Sequence, residues 1–253
     1  ASKGGPLDVS GTSFQLPELG GKFPRAEVDL QTNGTVTATL AILDVDPLNF
    51  ISKANQPLDV VDGRLKANTQ LSFVLGKKLD LSDIDFASTG TAFDVRSTKL
   101  VPNRTISAKS LKLSVDKAAL VINGGLRFGG VPVQGEWTQP LGAAGKKGSQ
   151  VAARVELSQA FLEEFKIGLP AGTISGTTQA DLLLDLRPDQ PVRFDLTSNL
   201  KGAHVQLRDL GWNKPANGAG RLSISGQLGS PPQIEKLSVS SDELELNGRV
   251  ELN

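Results

Sequence analysis

The stretch that decides the fold, residues 236–246, reads Lys-Leu-Ser-Val-Ser-Ser-Asp-Glu-Leu-Glu-Leu. Apolar and polar residues alternate in it, so that Leu237 and Val239 lie on one face and Ser238 lies on the other. Alternation with a period of two is the pattern of a strand that buries one face and exposes the other. The stretch therefore predicts two strands, at residues 236–240 and 243–246.

The same alternation recurs along most of the chain. Further strands are predicted at residues 36–42, 111–115, 221–225 and 248–252. Turns rich in Gly, Pro and Asn are predicted at residues 123–125, 187–189 and 229–232. Closely spaced strands of this kind indicate a mostly β, largely antiparallel fold.

Helix signals are few. Residues 46–54 begin with an acceptor side chain, Asp46, followed by Pro47 in the first turn, which is a helix start. Ser158 is predicted to cap a second short helix at residues 159–165. Two short helices cannot cover a sheet that is built from most of the chain.

Composition excludes several classes of function. Lys+Arg 27 equals Asp+Glu 27, whereas proteins that mainly bind nucleic acid carry a basic excess. Cysteine is absent, which rules out disulfides, a thiolate zinc site and a cysteine nucleophile. No apolar run approaches the roughly 18 residues that a membrane-spanning helix needs. Methionine is also absent, so we expect a processed product or a section of a longer protein.

The sequence predicts no catalytic residue, no metal site and no cofactor, and we expect a protein that is not an enzyme. The single histidine, His204, falls on the polar face of a predicted strand, and no nucleophile is evident beside it. Carboxylate pairs such as Asp44 with Asp46 lack the further oxygen ligands of a calcium loop. The glycine-rich runs lie between strands and lack the ending of a phosphate-binding loop.

The chain is interpreted as one continuous segment, residues 1–253, with a possible seam near residues 141–150. That stretch reads Leu-Gly-Ala-Ala-Gly-Lys-Lys-Gly-Ser-Gln, a composition typical of a flexible, solvated connection. Two interpretations stay open for it: a long hairpin loop, or a boundary between two subdomains.

A sheet with one apolar face must cover that face. The apolar positions are mainly Leu, Val and Ile, which suits two solutions. One is the closed core of a β-sandwich or barrel, and the other is a trough filled by acyl chains or by further protein. An open trough exposes more apolar surface than a soluble monomer tolerates, but each buried acyl methylene contributes about 0.8 kcal/mol. The residues alone favour the closed core.

A series of short motifs in the C-terminal half bears on this choice. They include a strand-turn-strand that ends in Trp137, the capped helix after Ser158, and a Gly-Trp-Asn-Lys-Pro turn before an alternating strand. The full set lies at residues 130–137, 158–165, 167–170, 174–178, 194–197, 203–207, 210–215, 220–228 and 246–250. From Gly125 onward the chain thereby resembles the AsmA-like superfamily of Gram-negative envelope proteins, of the YhdP/TamB type.

The resemblance implies an elongated, curved, largely antiparallel sheet that forms an apolar groove. It implies a periplasmic location, in a parent protein anchored in the inner membrane by an N-terminal helix that this sequence lacks. In such a protein the chain would bind or conduct phospholipid, or another acyl-chain lipid, between the inner and outer membranes and so serve outer membrane biogenesis. Its partners would be that lipid and the flanking segments of the same parent chain, with no nucleic acid. The family brings no catalytic residues.

The predicted lipid groove is a set of apolar strand residues that point into one concavity. They are Leu111, Leu113, Val115, Leu182, Leu184, Val192, Phe194, Leu196, Leu222, Ile224, Leu237, Val239, Leu244 and Leu246. The alternative is a structural or adhesion β module whose apolar faces pack on each other and which binds another protein without lipid. A carbohydrate-active sandwich would instead need Trp137 or Trp212 on the surface beside acids. Trp212 is interpreted as a structural plug, and Lys214 as a solvated turn charge.

Overall fold

The computed structural model describes residues 4–17, 20, 23–44, 52, 57–76, 83–101, 103–165, 167, 169–208, 211–229, 233–242 and 244–250. Over these residues the chain is mostly β: 14 strands belong to one large antiparallel sheet, and a second sheet has 3 strands. The large sheet is not closed into a barrel. The prediction of a mostly β, largely antiparallel fold with a few short helices is confirmed, and the barrel alternative is wrong.

The chain divides into two compact units, Ala1–Leu126 (unit 1) and Arg127–Asn253 (unit 2). Unit 1 is a meander in which each long strand pairs antiparallel with the next. Two short strands near the N-terminus pair with the first long one. The elements are β1 (Leu7–Asp8), β2 (Ser13–Gln15), β3 (Arg25–Thr35), α1 (Val36–Leu43), β4 (Asp62–Val74), β5 (Asp85–Ser97) and β6 (Ile106–Asp116), and β7 (Ala119–Phe128) contains the division.

Alternation sets the two faces of unit 1. In β4, Leu65 and Ala67 are partly buried, whereas Lys66 and Asn68 are exposed. Register carries the apolar face across the meander, because Leu65 pairs with Ala92 and Ala92 pairs with Leu111. No residue of β4 is fully buried, although both of its sides are paired with other strands. Unit 1 thus presents an apolar face that its described residues only partly cover.

Residues 36–42 form a helix, so the predicted strand there is wrong. Thr35 ends β3 and caps α1: its Oγ1 accepts a hydrogen bond from the Ala38 amide at 3.0 Å and donates one to the Gly4 carbonyl at 2.8 Å. Ala38 is completely buried. A side-chain cap and the burial of one helix face outweigh the strand preference of the Val and Thr residues in this stretch.

Residues 123–125 lie inside β7, so the predicted turn there is also wrong. Gly124 is a glycine because of a close approach: a Cβ atom on it would lie 3.0 Å from the Leu111 side chain and 3.1 Å from the Ser110 carbonyl. The chain reverses instead beyond Phe128, where Gly129 adopts a φ of 57°. That conformation is in the left-handed region, which glycine tolerates best.

Unit 2 holds the remaining strands of the large sheet, in the order β8, β9, β11, β12, β15, β16, β17. The small sheet has the order β10, β13, β14 and consists of the segments that connect β9 to β11 and β12 to β15. The strands are β8 (Val131–Pro140), β9 (Ser149–Leu157), β10 (Ile174–Gly176), β11 (Thr178–Leu186), β12 (Arg193–Ser198), β13 (Ala203–Leu207), β14 (Trp212–Lys214), β15 (Gly220–Gln227), β16 (Gln233–Ser241) and β17 (Glu245–Val250).

The connections in unit 2 test several sequence predictions. Residues 141–148, with the short helix α2 (Gly142–Gly145), join β8 to its antiparallel partner β9, so the predicted seam coincides with a hairpin connection. The helix α3 (Gln159–Glu164) is confirmed, with Ser158 Oγ accepting from the Phe161 amide at 3.3 Å. The predicted helix at residues 46–54 lies outside the described residues apart from Ser52.

The end of the chain differs from its prediction. One strand, β17, replaces the two strands predicted at residues 243–246 and 248–252. Gly248 does not interrupt β17, because it keeps its place opposite Leu237 in the ladder. The turn before β17 is closed by the Ser241 amide, which donates to the Leu244 carbonyl at 2.8 Å.

Candidate functional site

The apolar face of unit 2 is arranged in three rows that cross the strands. Cross-strand register places Val133, Val155, Ala180, Ser198, Leu222, Val239 and Leu246 in the first row. The middle row holds Gly135, Ala153, Leu182, Leu196, Ile224, Leu237 and Gly248. The third row, called the open row below, holds Trp137, Val151, Leu184 and Phe194. One face of six or more strands is therefore apolar almost throughout.

A cover formed by the small sheet and α3 buries Val155 and Ala180 of the first row and Leu196 of the middle row. Ile174, Val205 and Trp212 from the small sheet belong to one core cluster with Val155 and Ala180 of the large sheet. Phe161 and Leu162 of α3 complete the same cluster. In that cluster, Val155 and Ala180 each retain 2% exposure. This end of the apolar face is a closed two-layer core.

The open row lies outside that cover. None of its four side chains is fully buried, and none packs against the core cluster. Trp137 is tied to the neighbouring strand, since its Nε1 donates to Ser149 Oγ at 3.0 Å. The result is an apolar strip, formed by Trp137, Val151, Leu184 and Phe194, that no described residue seals from solvent.

The predicted groove residues of unit 2 fall into two groups. Those that pack against the closed core are Leu182, Leu196, Leu222, Ile224, Val239 and Leu244. Those that are partly buried but lie outside that cluster are Leu184, Val192, Phe194, Leu237 and Leu246. Cross-strand register places the members of both groups that lie in strands on one face. Alternation in the sequence did not distinguish the covered part of that face from the uncovered part.

In unit 1, Leu111 and Leu113 pack beside a small buried cluster of Ala92, Val95 and Ala108. Val115 is partly buried and pairs with Ser88. The hydroxyls of Ser88 and Thr69 are 2.7 Å apart, so polar atoms interrupt the apolar face at this row. That one concavity holds the groove residues of both units stays a prediction.

Sequence reasoning interpreted Trp137 as a core residue but left it, with Val151 and Ala153, out of the predicted groove of unit 2. The signal was present, because residues 151–157 read Val-Ala-Ala-Arg-Val-Glu-Leu and alternate over their second half. In unit 1 it missed Leu65 and Leu71, whose strand also alternates. The consecutive Ala152 and Ala153 weakened the pattern in the first stretch, and Asn68 and Thr69 weakened it in the second.

Lys214 is buried, so its interpretation as a solvated turn charge is wrong. It retains 2% exposure, and its Nζ donates to three carbonyl oxygens: Leu200 at 2.8 Å, Pro215 at 2.9 Å and Ala203 at 3.0 Å. Burial lowers the pKa of this ammonium group. An ammonium has three donors, so the site satisfies all of them without a carboxylate.

Trp212 retains 8% exposure inside the core cluster, which confirms its role as a structural plug. It lies in β14 rather than in a turn. Trp137 is partly buried in the open row and also lies away from the polar face. Neither tryptophan forms the exposed sugar platform beside acids that a carbohydrate-active sandwich would need.

The polar faces of both units carry exposed cross-strand ion pairs. In unit 2, Arg154 lies 3.3 Å from Asp181, and Arg193 lies 3.0 Å from Glu235. In unit 1, hydrogen bonds from Lys117 and then Arg25 lower the pKa of Asp85. Exposed pairs of this kind contribute little to stability, but they mark the face that stays in water.

The described residues contain no group of three or more His, Asp or Glu side chains placed to hold a metal ion. His204 is partly buried, with Nδ1 at 3.4 Å from Ser175 Oγ. No helix among the described residues is long and apolar enough to cross a membrane. Comparisons with protein-family models, with curated proteins and with solved structures found no match.

Proposed function

We propose that this chain binds acyl-chain lipid, phospholipid in particular, along the uncovered part of its apolar face. The observation that carries the proposal is the open row, an apolar strip on a paired, interior part of the sheet that no described residue seals. In an ordinary domain such residues would be covered by a second layer. We further propose that the chain is a section of a periplasmic AsmA-like protein that conducts lipid between the two membranes.

The chemistry of the open row supports hydrocarbon as its occupant. Val151, Leu184 and Phe194 offer only carbon atoms, and the single polar hydrogen of Trp137 is already donated to Ser149. An acyl chain needs no hydrogen-bond partner and gains about 0.8 kcal/mol for each buried methylene. A peptide on the same strip would find no hydrogen-bond partner there and would have to pair its backbone polar groups elsewhere.

The separation of the two faces supports the same occupant. Leu183, between two residues that point to the apolar face, is 57% exposed and lies on the face of Asp181 and Asp185. Lipid bound on one face therefore leaves the charged face in water. The sheet would act as a partition between hydrocarbon and solvent.

A structural module that binds another protein without lipid is the second candidate. The closed core favours it, because Leu196 is 6% exposed beneath the small sheet and needs no lipid to cover it. This core shows that unit 2 can stabilise part of its apolar face with its own residues. The two candidates differ in what occupies the open row.

Two substitutions on one strand separate the candidates. Leu184→Gln adds a polar amide to the open row, and Leu183→Gln makes the same change on the exposed polar face one residue away. Lipid binding predicts that phospholipid extracted from the purified chain with organic solvent and measured by mass spectrometry falls several-fold in the first variant only.

Thermal melts of both variants serve as the control for folding. Because Leu184 lies outside the core cluster, we expect both variants to stay folded. Purified wild-type chain that carries no phospholipid, and that binds no fluorescent fatty acid, would contradict the proposal and leave the structural module.

A further inference from the structure

A polar cleft lies at the strand ends of unit 2 that are opposite to the ends joined by the small sheet. The connections from β8 to β9 and from β11 to β12 meet at these strand ends, because β9 pairs antiparallel with both β8 and β11. The cleft has a volume of about 640 Å³, and its lining includes Lys146, Lys147, Gln150, Asp185 and Arg187. The stretch at residues 141–150, which the proposed function leaves without a role, forms much of its wall.

The charges of the cleft do not balance. Arg187 is paired with Asp185, since its Nη2 lies 2.8 Å and its Nε 2.9 Å from Asp185 Oδ2. Lys146 and Lys147 are exposed, and neither forms an ion pair with any described residue. Two positive charges therefore remain at the cleft, in a chain whose formal net charge is +0.

The cleft meets the apolar face at the ends of β8, β9 and β11. Ser149, which lines the cleft, pairs with Leu186 and is hydrogen-bonded to Trp137 of the open row. Gln150 lines the cleft from the polar face of β9, in one row with Thr138 and Asp185, whereas Val151 points to the open row on the opposite face. A molecule on the open row would therefore reach the cleft around the ends of β8 and β9, where Lys146 and Lys147 lie in the connection.

We propose that Lys146 and Lys147 bind the phosphate group of an amphiphile whose acyl chain lies on the open row. This inference rests on the proposed function and adds to it the polar group of the ligand and the strand ends where that group lies. The small sheet covers the opposite end of the apolar face. The polar group of the ligand would therefore lie at the connections from β8 to β9 and from β11 to β12. Lysine serves as a point-charge ligand for phosphate, whereas the charge of Arg187 is already offset by Asp185.

The test compares one double variant with a charge-matched control in the full chain. Lys146→Gln with Lys147→Gln removes the free charges of the cleft. Lys201→Gln with Lys236→Gln removes two exposed lysines elsewhere in unit 2. The probes are monododecyl phosphate, dodecyl maltoside and inorganic phosphate. The binding of each probe is measured by isothermal calorimetry, and the two dodecyl amphiphiles are kept below their micelle concentrations.

We expect the cleft variant to bind monododecyl phosphate about fivefold more weakly, as the loss of two solvent-exposed charge contacts would give. Its affinity for dodecyl maltoside should not change, and the control variant should match the wild type for all probes. Added sodium chloride should weaken monododecyl phosphate binding to the wild type more than to the cleft variant.

Each contrary result identifies which proposal fails. If both dodecyl amphiphiles bind and the cleft lysines have no effect, the phosphate site is wrong and the lipid face stands. If inorganic phosphate binds as tightly as monododecyl phosphate, the site holds a free anion and the headgroup assignment is wrong. If neither amphiphile binds to the wild type, the proposed function itself fails.

Discussion

Lys214 shows how far a side chain can depart from the usual behaviour of its type. Lysine is almost never fully buried unless it is paired, yet Lys214 has three carbonyl partners and no acid. One partner, Leu200, has a φ of 54°, a left-handed conformation that is rare for a residue with a branched side chain. The lysine therefore connects the turn after β12 to β14 and stabilises the small sheet from inside.

Replacing Lys214 tests this role. Lys214→Met keeps an apolar stem of similar length but leaves three buried carbonyl oxygens without a donor. We expect the free energy of unfolding to fall by about 3 kcal/mol, measured by urea denaturation. Lys201→Met, at an exposed turn position of the same unit, should change it by less than about 0.5 kcal/mol. Equal effects in the two variants would show that the buried contacts do not matter.

The pH dependence of stability gives a second test at the same residue. Burial lowers the pKa of Lys214 below its ordinary value of 10.5. Between the lowered pKa and 10.5 the unfolded chain holds more protons at this site than the folded chain. The free energy of unfolding therefore rises with pH in that window, and below it the penalty for burying the charge is present in full.

Lys214→Met removes this titration, so the wild type should gain stability relative to the variant as pH approaches 10.5. Urea denaturation of both proteins at a series of alkaline pH values measures the difference. A difference that stays constant across the series would mean that the folded and unfolded chains titrate alike at Lys214.

At the scale of the element, β12 separates two environments within a few residues. Leu196 lies beneath the small sheet with 6% exposure, whereas Phe194, two residues earlier, lies in the open row. Both side chains point to the same face, because successive side chains of a strand alternate. The difference comes from the cover, which ends between them.

Photo-crosslinking along β12 should report this difference directly. A photoreactive residue at Phe194 should crosslink to phospholipid in cells, whereas one at Asp195 should not, because it points to the polar face. A crosslinker at Leu196 should capture protein rather than lipid. Lipid adducts of equal yield at all three positions would contradict a one-sided binding strip.

The sequence predicted the positions and faces of strands more reliably than the contacts that each segment makes with the rest of the chain. The alternation at residues 111–115 and 221–225 identified strands and their faces, because side-chain direction is a local property of the backbone. Residues 36–42 show the limit, since the same alternation occurs in a helix that Thr35 caps. Thr35 also donates to the distant Gly4 carbonyl, and Ala38 is completely buried. The pattern within residues 36–42 does not contain these contacts.

At the scale of the whole molecule, the two units differ in how much of their apolar face their own residues cover. Unit 2 covers part of its apolar face with a second sheet and a short helix, and its core cluster joins residues from eight elements. Among the described residues of unit 1, the buried core cluster consists of Ala92, Val95 and Ala108. A ligand on the apolar face should therefore contribute to the stability of the chain as well as to its function.

Bound lipid should raise the stability of the delipidated chain. A short-chain phosphatidylglycerol at one hundred times its dissociation constant should add about 2.7 kcal/mol to the free energy of unfolding, measured by scanning calorimetry below its micelle concentration. Leu184→Gln should show a smaller gain, because the open row binds lipid less well in that variant. A transition temperature that does not depend on lipid would favour the structural module.

By itself the sequence determined the class of fold and, in the strands with clear alternation, which residues point to each face. Side-chain direction in a strand depends only on consecutive residues. The tertiary structure decided which part of the apolar face is covered. Residues 203–207 alternate like any strand of the large sheet, yet β13 pairs with β10 and β14 instead. That choice depends on the packing of Val205 and Trp212 against strands distant in sequence, and such long-range contacts leave no local pattern.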